Sequence, residues 1–295
     1  MPKEKPIKAT KATENQKPKP RRKRRETKTT TGAQPDRKIL VAVDFGTTFS
    51  GIAWAQTRNL DIQIPIAQWP DATSENLEGV SSDKVPTEIV YEGENYKWGF
   101  QIPESAQRQK WFKLDLDPSQ VRDSPLISKY HDPLAAPTSY DSVEKLIKDY
   151  LTALREHTER VLRYKVAESA LLSTPIEYII TVPAVWSDMA QSKTRACAEA
   201  AGMGAGAALH IISEPEAAAV YALSVMDPHD LKIGDTFVLC DAGGGTVDLI
   251  TYTISAIRPI LKLTEASPGN GSLCGGSILN RVFAALMEEK LGHEV

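Results

Sequence analysis

The 295-residue sequence predicts an α/β protein built from two related lobes, and three observations carry that expectation. Strand-length apolar runs rich in Val, Leu and Ile are interleaved with longer stretches of helical periodicity. Two of the apolar runs end alike, on an Asp, then a turn containing Gly and Thr, then a second strand-like run. Their Asp residues, Asp44 and Asp241, lie 197 positions apart, so each lobe is expected to contribute one such hairpin.

The later hairpin is the more explicit. Phe237–Cys240 leads to Asp241, Gly243, Gly244, Gly245 and Thr246, and Asp248 opens the return strand. Adjacent glycines let backbone N–H groups approach an anion closely, because no side chain stands in the way. Two carboxylates beside such a turn would repel a bare phosphate, so a divalent cation between them is implied. Mg²⁺ suits the place, since one or two carboxylates, waters and phosphate oxygens usually hold it. Alone, the stretch also fits a glycine-rich hairpin whose Asp residues cap the turn. The earlier hairpin, Ile39–Val43, Asp44, Gly46, Thr47, Thr48 and a strand through Trp54, tips the reading to paired phosphate loops.

Composition bounds the rest. A hydrophobic content of 41% and a charged content of 25% are ordinary for a soluble globular chain. The net charge of −3 conceals an asymmetry: residues 1–38 carry a net +10 and the remainder a net −13. An acidic body repels nucleic acid, which argues against DNA or RNA as the main partner. Cys197, Cys240 and Cys274 are odd in number and widely spaced, which points to a reducing compartment such as the cytoplasm. Cys240 is expected in a buried strand, as a small hydrophobe. No apolar run nears the ~18 residues that span a bilayer, and the basic N-terminus lacks a secretory apolar core.

In chain order, residues 1–37 lack large apolar side chains and are expected to be a disordered basic tail. Arg21–Arg25 reads either as a nuclear address or as a solvated charge run. Residues 85–100 predict a short hairpin, and about 88–136 a small peripheral subdomain. Within it Lys113 follows Trp111 and Phe112; a stem-packed lysine and a lysine reaching a cleft phosphate are both open readings. Residues 141–163 predict a helix with an Asp141–Glu144 capping box and one apolar stripe from Val143 to Leu154. A buried strand at 177–183, a helix from Ser187 closed by Gly202 and a short strand at 210–212 follow. Ser213 and Glu216 have capping-box spacing, which leaves Glu214 at a strand-to-helix junction with no structural task. The five histidines form no pair at metal-ligand spacing.

Together with both hairpins, the Ile-Thr-Val-Pro-Ala strand end (180–184) and the Ser-Glu-Pro-Glu-Ala-Ala-Ala junction (213–219) resemble the ATPase domain of the 70-kDa heat-shock protein family. The likeness covers roughly residues 38–295 and is greatest to the divergent branch found widely in fungi and as atypical members in animals. It implies an actin-like fold of ribonuclease H-like repeats, two lobes around a cleft holding ATP or ADP with Mg²⁺. Residues 38–226 would form the first lobe and 227–295 a partial second lobe. By resemblance, Asp44, Gly46, Thr47 and Thr48 form one phosphate loop, and Gly243, Gly244, Gly245 and Thr246 the other. Asp44 and Asp241 would lie at the metal, and Glu214, Asp248, Thr246 and Lys113 would carry catalysis, with Glu214 and Asp248 placing the metal and the attacking water. Gly275 and Gly276 match a pair that opens a helix beside the nucleotide; Ser277 follows where typical members carry an acid.

The resemblance implies client or co-chaperone partners. Because the family's second lobe continues further, the sequence is expected to be C-terminally truncated. That leaves a non-catalytic nucleotide-binding module as the alternative to an ATPase. Sugar and carboxylic-acid kinases use similar paired loops but need an Asp base aimed at an acceptor, and the Glu-Pro-x-Ala-Ala-Ala junction stands here instead.

Overall fold

A computed structural model describes residues 37–73, 79–118, 142–226, 230–258 and 261–292. Pro35–Val295 form one compact unit. The expected basic tail, Asp141 and most of the later part of the expected peripheral subdomain lie outside the described residues.

The chain opens with a meander of β1 (Ile39–Asp44), β2 (Phe49–Gln56) and β3 (Asn59–Pro65). Short strands follow: β4 (Gln68–Trp69), β5 (Val80–Ser81) and β6 (Val85–Pro86), the last paired to the start of β2. β7 (Glu88–Glu92) and β8 (Asn95–Trp98) make the expected hairpin, joined by β9 (Gln109–Lys110). After helices α1 (Val143–Lys165) and α2 (Glu168–Leu172), β10 (Ile176–Val182) lies parallel to β1. Helix α3 (Asp188–Ala200) then leads to β11 (Leu209–Ser213), parallel to β10. The main sheet therefore runs β11-β10-β1-β2-β3, part parallel and part antiparallel. Helix α4 (Glu214–Val225) crosses to an antiparallel sheet of β12 (Thr236–Ala242), β13 (Val247–Ala256) and β14 (Lys262–Ser272), and α5 (Gly276–Leu291) follows.

Alternation explains the main sheet. Ile39, Val41 and Val43 of β1 and Tyr178, Ile180 and Val182 of β10 all point inward. The α1 stripe meets them: Leu146, Ile147, Tyr150, Leu151 and Leu154 are fully buried. Its cap differs from expectation. Ser142, not Asp141, is the N-cap, accepting from the Lys145 N–H at 3.1 Å. A hydroxyl in that position is worth about 1 kcal/mol. At α3 the Ser187 cap and Gly202, at φ +81°, stand as expected.

The second core is small, centred on Ala219, Ile250 and Tyr252, with Ala184 of the first sheet's strand end packed against it. One face of the β12–β14 sheet stays in solvent, where Val238 is 65% and Leu249 45% exposed. Cys240 shares that face and is exposed, contrary to the buried position expected of it. The strand forms where expected, but it alternates between half-buried and exposed positions, and nothing among the described residues covers the outward side.

Candidate phosphate-binding site

Asp44 closes β1 opposite Gly51 of β2, and the first turn follows. Phe45 anchors it from below. Its ring is buried 6.4 Å from Phe112 and 6.0 Å from Tyr150, and those two rings lie 5.8 Å apart. A Cβ at Gly46 would collide with the Phe49 carbonyl oxygen, so only glycine fits there. On the far side the Thr87 N–H donates to the Thr48 carbonyl at 2.9 Å. The turn is thus held both by core and by backbone.

The second turn is tied down by α5. The N–H groups of Gly275, Gly276 and Ser277 donate to the carbonyls of Gly245, Gly243 and Gly244 at 3.1, 3.0 and 2.9 Å. The Ser277 hydroxyl adds a 2.6 Å bond to the same Gly244 oxygen. Helix N-termini carry N–H groups without intrahelical partners, and here the turn's carbonyls take them up. Because each peptide is planar and trans, the N–H groups of Gly244, Gly245 and Thr246 face the opposite way, away from α5. Successive N–H groups presented in this manner make an anion-binding concavity. Gly275 must be bare, since a Cβ would come within 2.6 Å of the Gly243 oxygen.

The two turns touch. A Cβ on Gly244 would overlap the Thr48 side chain, and one on Gly245 would lie 2.7 Å from Thr47 Cγ2. Residues far apart in sequence are therefore brought to one spot, with hydroxyls on one wall and bare backbone on the other.

Charged groups ring that spot. Lys113 is 1% exposed, and its Nζ is 2.6 Å from Glu214 Oε1. The ammonium also sits 5.5 Å from the Phe45 ring and 5.2 Å from that of Trp186, an aromatic setting that favours a desolvated cation. Burial pushes the Glu214 carboxyl up; Lys113 opposes the shift, and the charges of Asp44 and Asp241 add to it. The stem of Lys113 is packed as one reading expected, and its ammonium is turned toward Glu214. The capping box at Ser213 does not form: its side chain caps nothing and its buried Oγ has no partner. Glu216 is exposed instead.

Asp241 and Asp248 stand opposite each other across β12 and β13. Asp248 is 4% exposed, and its Oδ1 is buried without a hydrogen-bond partner. Burial raises its pKa and Asp241 raises it further, against a hydrogen bond from the Thr246 side chain and the charge of Lys113. Like charges directly opposite destabilise a hairpin, and a buried oxygen without a donor adds to that cost. A cation between the strands relieves both, so this pair fits a metal. Among the described residues no three His, Cys, Asp or Glu side chains cluster as a complete ligand set. A bound ion would fill its shell from water and phosphate, as Mg²⁺ commonly does.

Sequence reasoning missed four contributors. Lys84 Nζ lies 2.7 Å from Asp44 Oδ2, and the Thr181 hydroxyl donates to Asp44 Oδ1 at 3.4 Å. Gly271, opposite Asp248, leaves room for its carboxylate, because a Cβ there would strike Asp248 Oδ1. Ser277, noted in the sequence only as standing in place of an acid, supports the glycine turn. Gly271 stood in a glycine-rich run that could have flagged it; the Lys84 contact spans 40 residues and left no local signal.

Residues 142–272 match the Hsp70 protein family model, a span that includes Glu214, Asp241, the glycine turn and Asp248. The chain is 26% identical over 299 residues to mouse heat shock 70 kDa protein 12A, an alignment covering 78% of this chain and 43% of that protein. It is 25% identical over 300 residues to human heat shock 70 kDa protein 12B, covering 78% and 42%. It is 24% identical over 277 residues to chaperone protein HscA of Pectobacterium carotovorum, covering 88% and 39%. The chain thus spans less than half the length of these curated relatives.

Proposed function

We propose that this chain, a divergent member of the Hsp70 family, binds Mg-ATP and Mg-ADP between its two glycine–threonine turns and hydrolyses ATP slowly. The observation that carries the reading is the direct contact of the turns, Thr48 on Gly244 and Thr47 on Gly245, each turn being flanked in the chain by an acid, Asp44, Asp241 or Asp248. The phosphate chain would lie along the edge where the turns meet, taking hydrogen bonds from the Thr47 and Thr48 hydroxyls and from the N–H groups of Gly244, Gly245 and Thr246. Asp241 and Asp248 would hold the hydrated cation with Asp44 alongside, and the cation would neutralise charge on the phosphates.

Lys113 and Glu214 would orient the attacking water at the terminal phosphate, the lysine supplying charge and the carboxylate accepting a hydrogen bond. Catalysis would come from positioning and electrostatics rather than covalent steps. In this reading the β12–β14 sheet with α5 is the start of a second lobe of an actin-like fold. The chain would then be the nucleotide-binding part of a chaperone-like protein with client or co-chaperone partners, in the cytoplasm or, through Arg21–Arg25, the nucleus.

Calorimetric titration of the chain with Mg-ATP tests the reading, with Asp241→Ala as comparison. Binding by the wild type that weakens at least about tenfold in the variant supports it. Equal affinities would overturn it.

A further inference from the structure

Of the charged groups at the site, Lys84 has no role in the phosphate clamp as proposed, yet its placement is constrained. It directly precedes β6, whose Val85 and Pro86 pair with Ser50 and Phe49 at the edge of the first turn. The preceding residue but one, Ser82, is fixed as well: its N–H donates to the Ala67 carbonyl at 3.0 Å, and its own carbonyl accepts from Trp69 Nε1 at 2.8 Å. The lysine stem lies over Gly51, where an added Cβ would meet Lys84 Cγ at 3.4 Å and Cε at 3.7 Å. Gly51 is the cross-strand neighbour of Asp44, so the bare backbone gives Lys84 a track across the hairpin to that carboxylate. The ammonium arrives 2.7 Å from Asp44 Oδ2, with the two side chains 52% and 42% exposed.

An ion pair this open contributes little to stability. The backbone on either side positions it nonetheless, at the end of β1. The other oxygen of the same Asp44 carboxylate accepts from the Thr181 hydroxyl at 3.4 Å, on the strand that pairs with β11 just before Glu214, and the Asp44 charge acts on the Glu214 carboxyl. The water-orienting pair Lys113–Glu214 marks the terminal-phosphate end of the clamp, and Lys113 is already committed to Glu214. Lys84 is the half-exposed cation that can leave its carboxylate for an incoming anion at that end.

We propose that Lys84 is a specificity-determining residue: paired with Asp44 when no nucleotide is bound, it transfers its ammonium to the terminal phosphate of a nucleoside triphosphate and so favours triphosphate over diphosphate. The inference rests on the phosphate-clamp reading and deepens it. A diphosphate would not reach the ammonium, and Lys84 would stay on Asp44. Charge-assisted hydrogen bonds to phosphate are among the stronger polar contacts, so the preference should be measurable.

The test is titration of the full chain with Mg-ATP and with Mg-ADP, for wild type, Lys84→Met and Lys84→Arg. The expected result for Lys84→Met is about tenfold weaker ATP binding with ADP binding within about twofold of wild type, and Lys84→Arg restores most of the difference. A merely structural lysine would move both affinities together or neither, and either pattern overturns the proposal while leaving the clamp standing. Failure of the wild type to bind either nucleotide overturns the clamp and this role with it.

Discussion

Asp241 and Asp248 face each other as a cross-strand pair, and the inner of the two is buried with one oxygen lacking a donor. Folding alone gives no reason for that arrangement. Asp248 sits above its ordinary pKa, chiefly through burial. A carboxyl whose folded pKa is raised contributes stability below its unfolded pKa, and loses it as pH rises through the folded value. At neutral pH, without a cation, the ionised Asp248 is therefore a liability. Asp248→Asn should melt about 2–4 °C higher than wild type at pH 7, with the gap closing toward pH 4. Thermal melts across that range check the expectation, and a variant that melts lower at pH 7 would refute it. Saturating Mg-ATP should reverse the order.

Lys113 and Glu214 form a buried pair, and removing one partner of such a pair is more costly than removing both. Lys113→Met is expected to destabilise by about 3–5 kcal/mol because it strands Glu214. The double variant Lys113→Met/Glu214→Leu should recover much of that loss. Denaturant unfolding of the single and double variants measures it; additive losses would show that the pair is not coupled. Turnover by Glu214→Ala separates the two functional readings. Binding kept with hydrolysis lost fits an ATPase, whereas a wild type that binds without turnover fits the non-catalytic alternative.

Gly244 has no room for a side chain because Thr48 occupies it. Gly244→Ala should push the turns apart and weaken Mg-ATP binding at least about tenfold. Trimming the obstruction in Gly244→Ala/Thr48→Ala should recover part of the stability but not the hydroxyl's share of affinity. Melts and titrations of the two variants distinguish the effects. Full affinity in Gly244→Ala would mean that the contact of the turns is incidental.

Local patterns announced much of this. The α1 stripe, the strands on both sides of each turn and the Gly202 helix stop all follow from periodicity and backbone preference, which neighbouring residues suffice to specify. Caps were read less well. Asp141 and Ser142 both suit the position, and only the backbone path selects Ser142. Ser213 has the spacing of a capping box, but its hydroxyl is buried away from the helix amides. Cys240 is exposed: a continuous apolar run specifies a strand but not whether both of its faces are covered. Within the candidate site, the glycine turns were visible as motifs. Their mutual contact, the Lys84–Asp44 bond and the Lys113–Glu214 pair depend on segments 40 or more positions apart and on tertiary packing.

The cluster of Phe45, Phe112 and Tyr150 binds three separate pieces of chain into one keel: the first turn through Phe45, the Lys113 segment through the adjacent Phe112, and helix α1 through Tyr150. The first turn and the Lys113 segment therefore share one buried aromatic support. A survey of loss-of-activity variants would accordingly single out Tyr150, deep in a helix and remote from any phosphate, beside residues that touch the nucleotide directly.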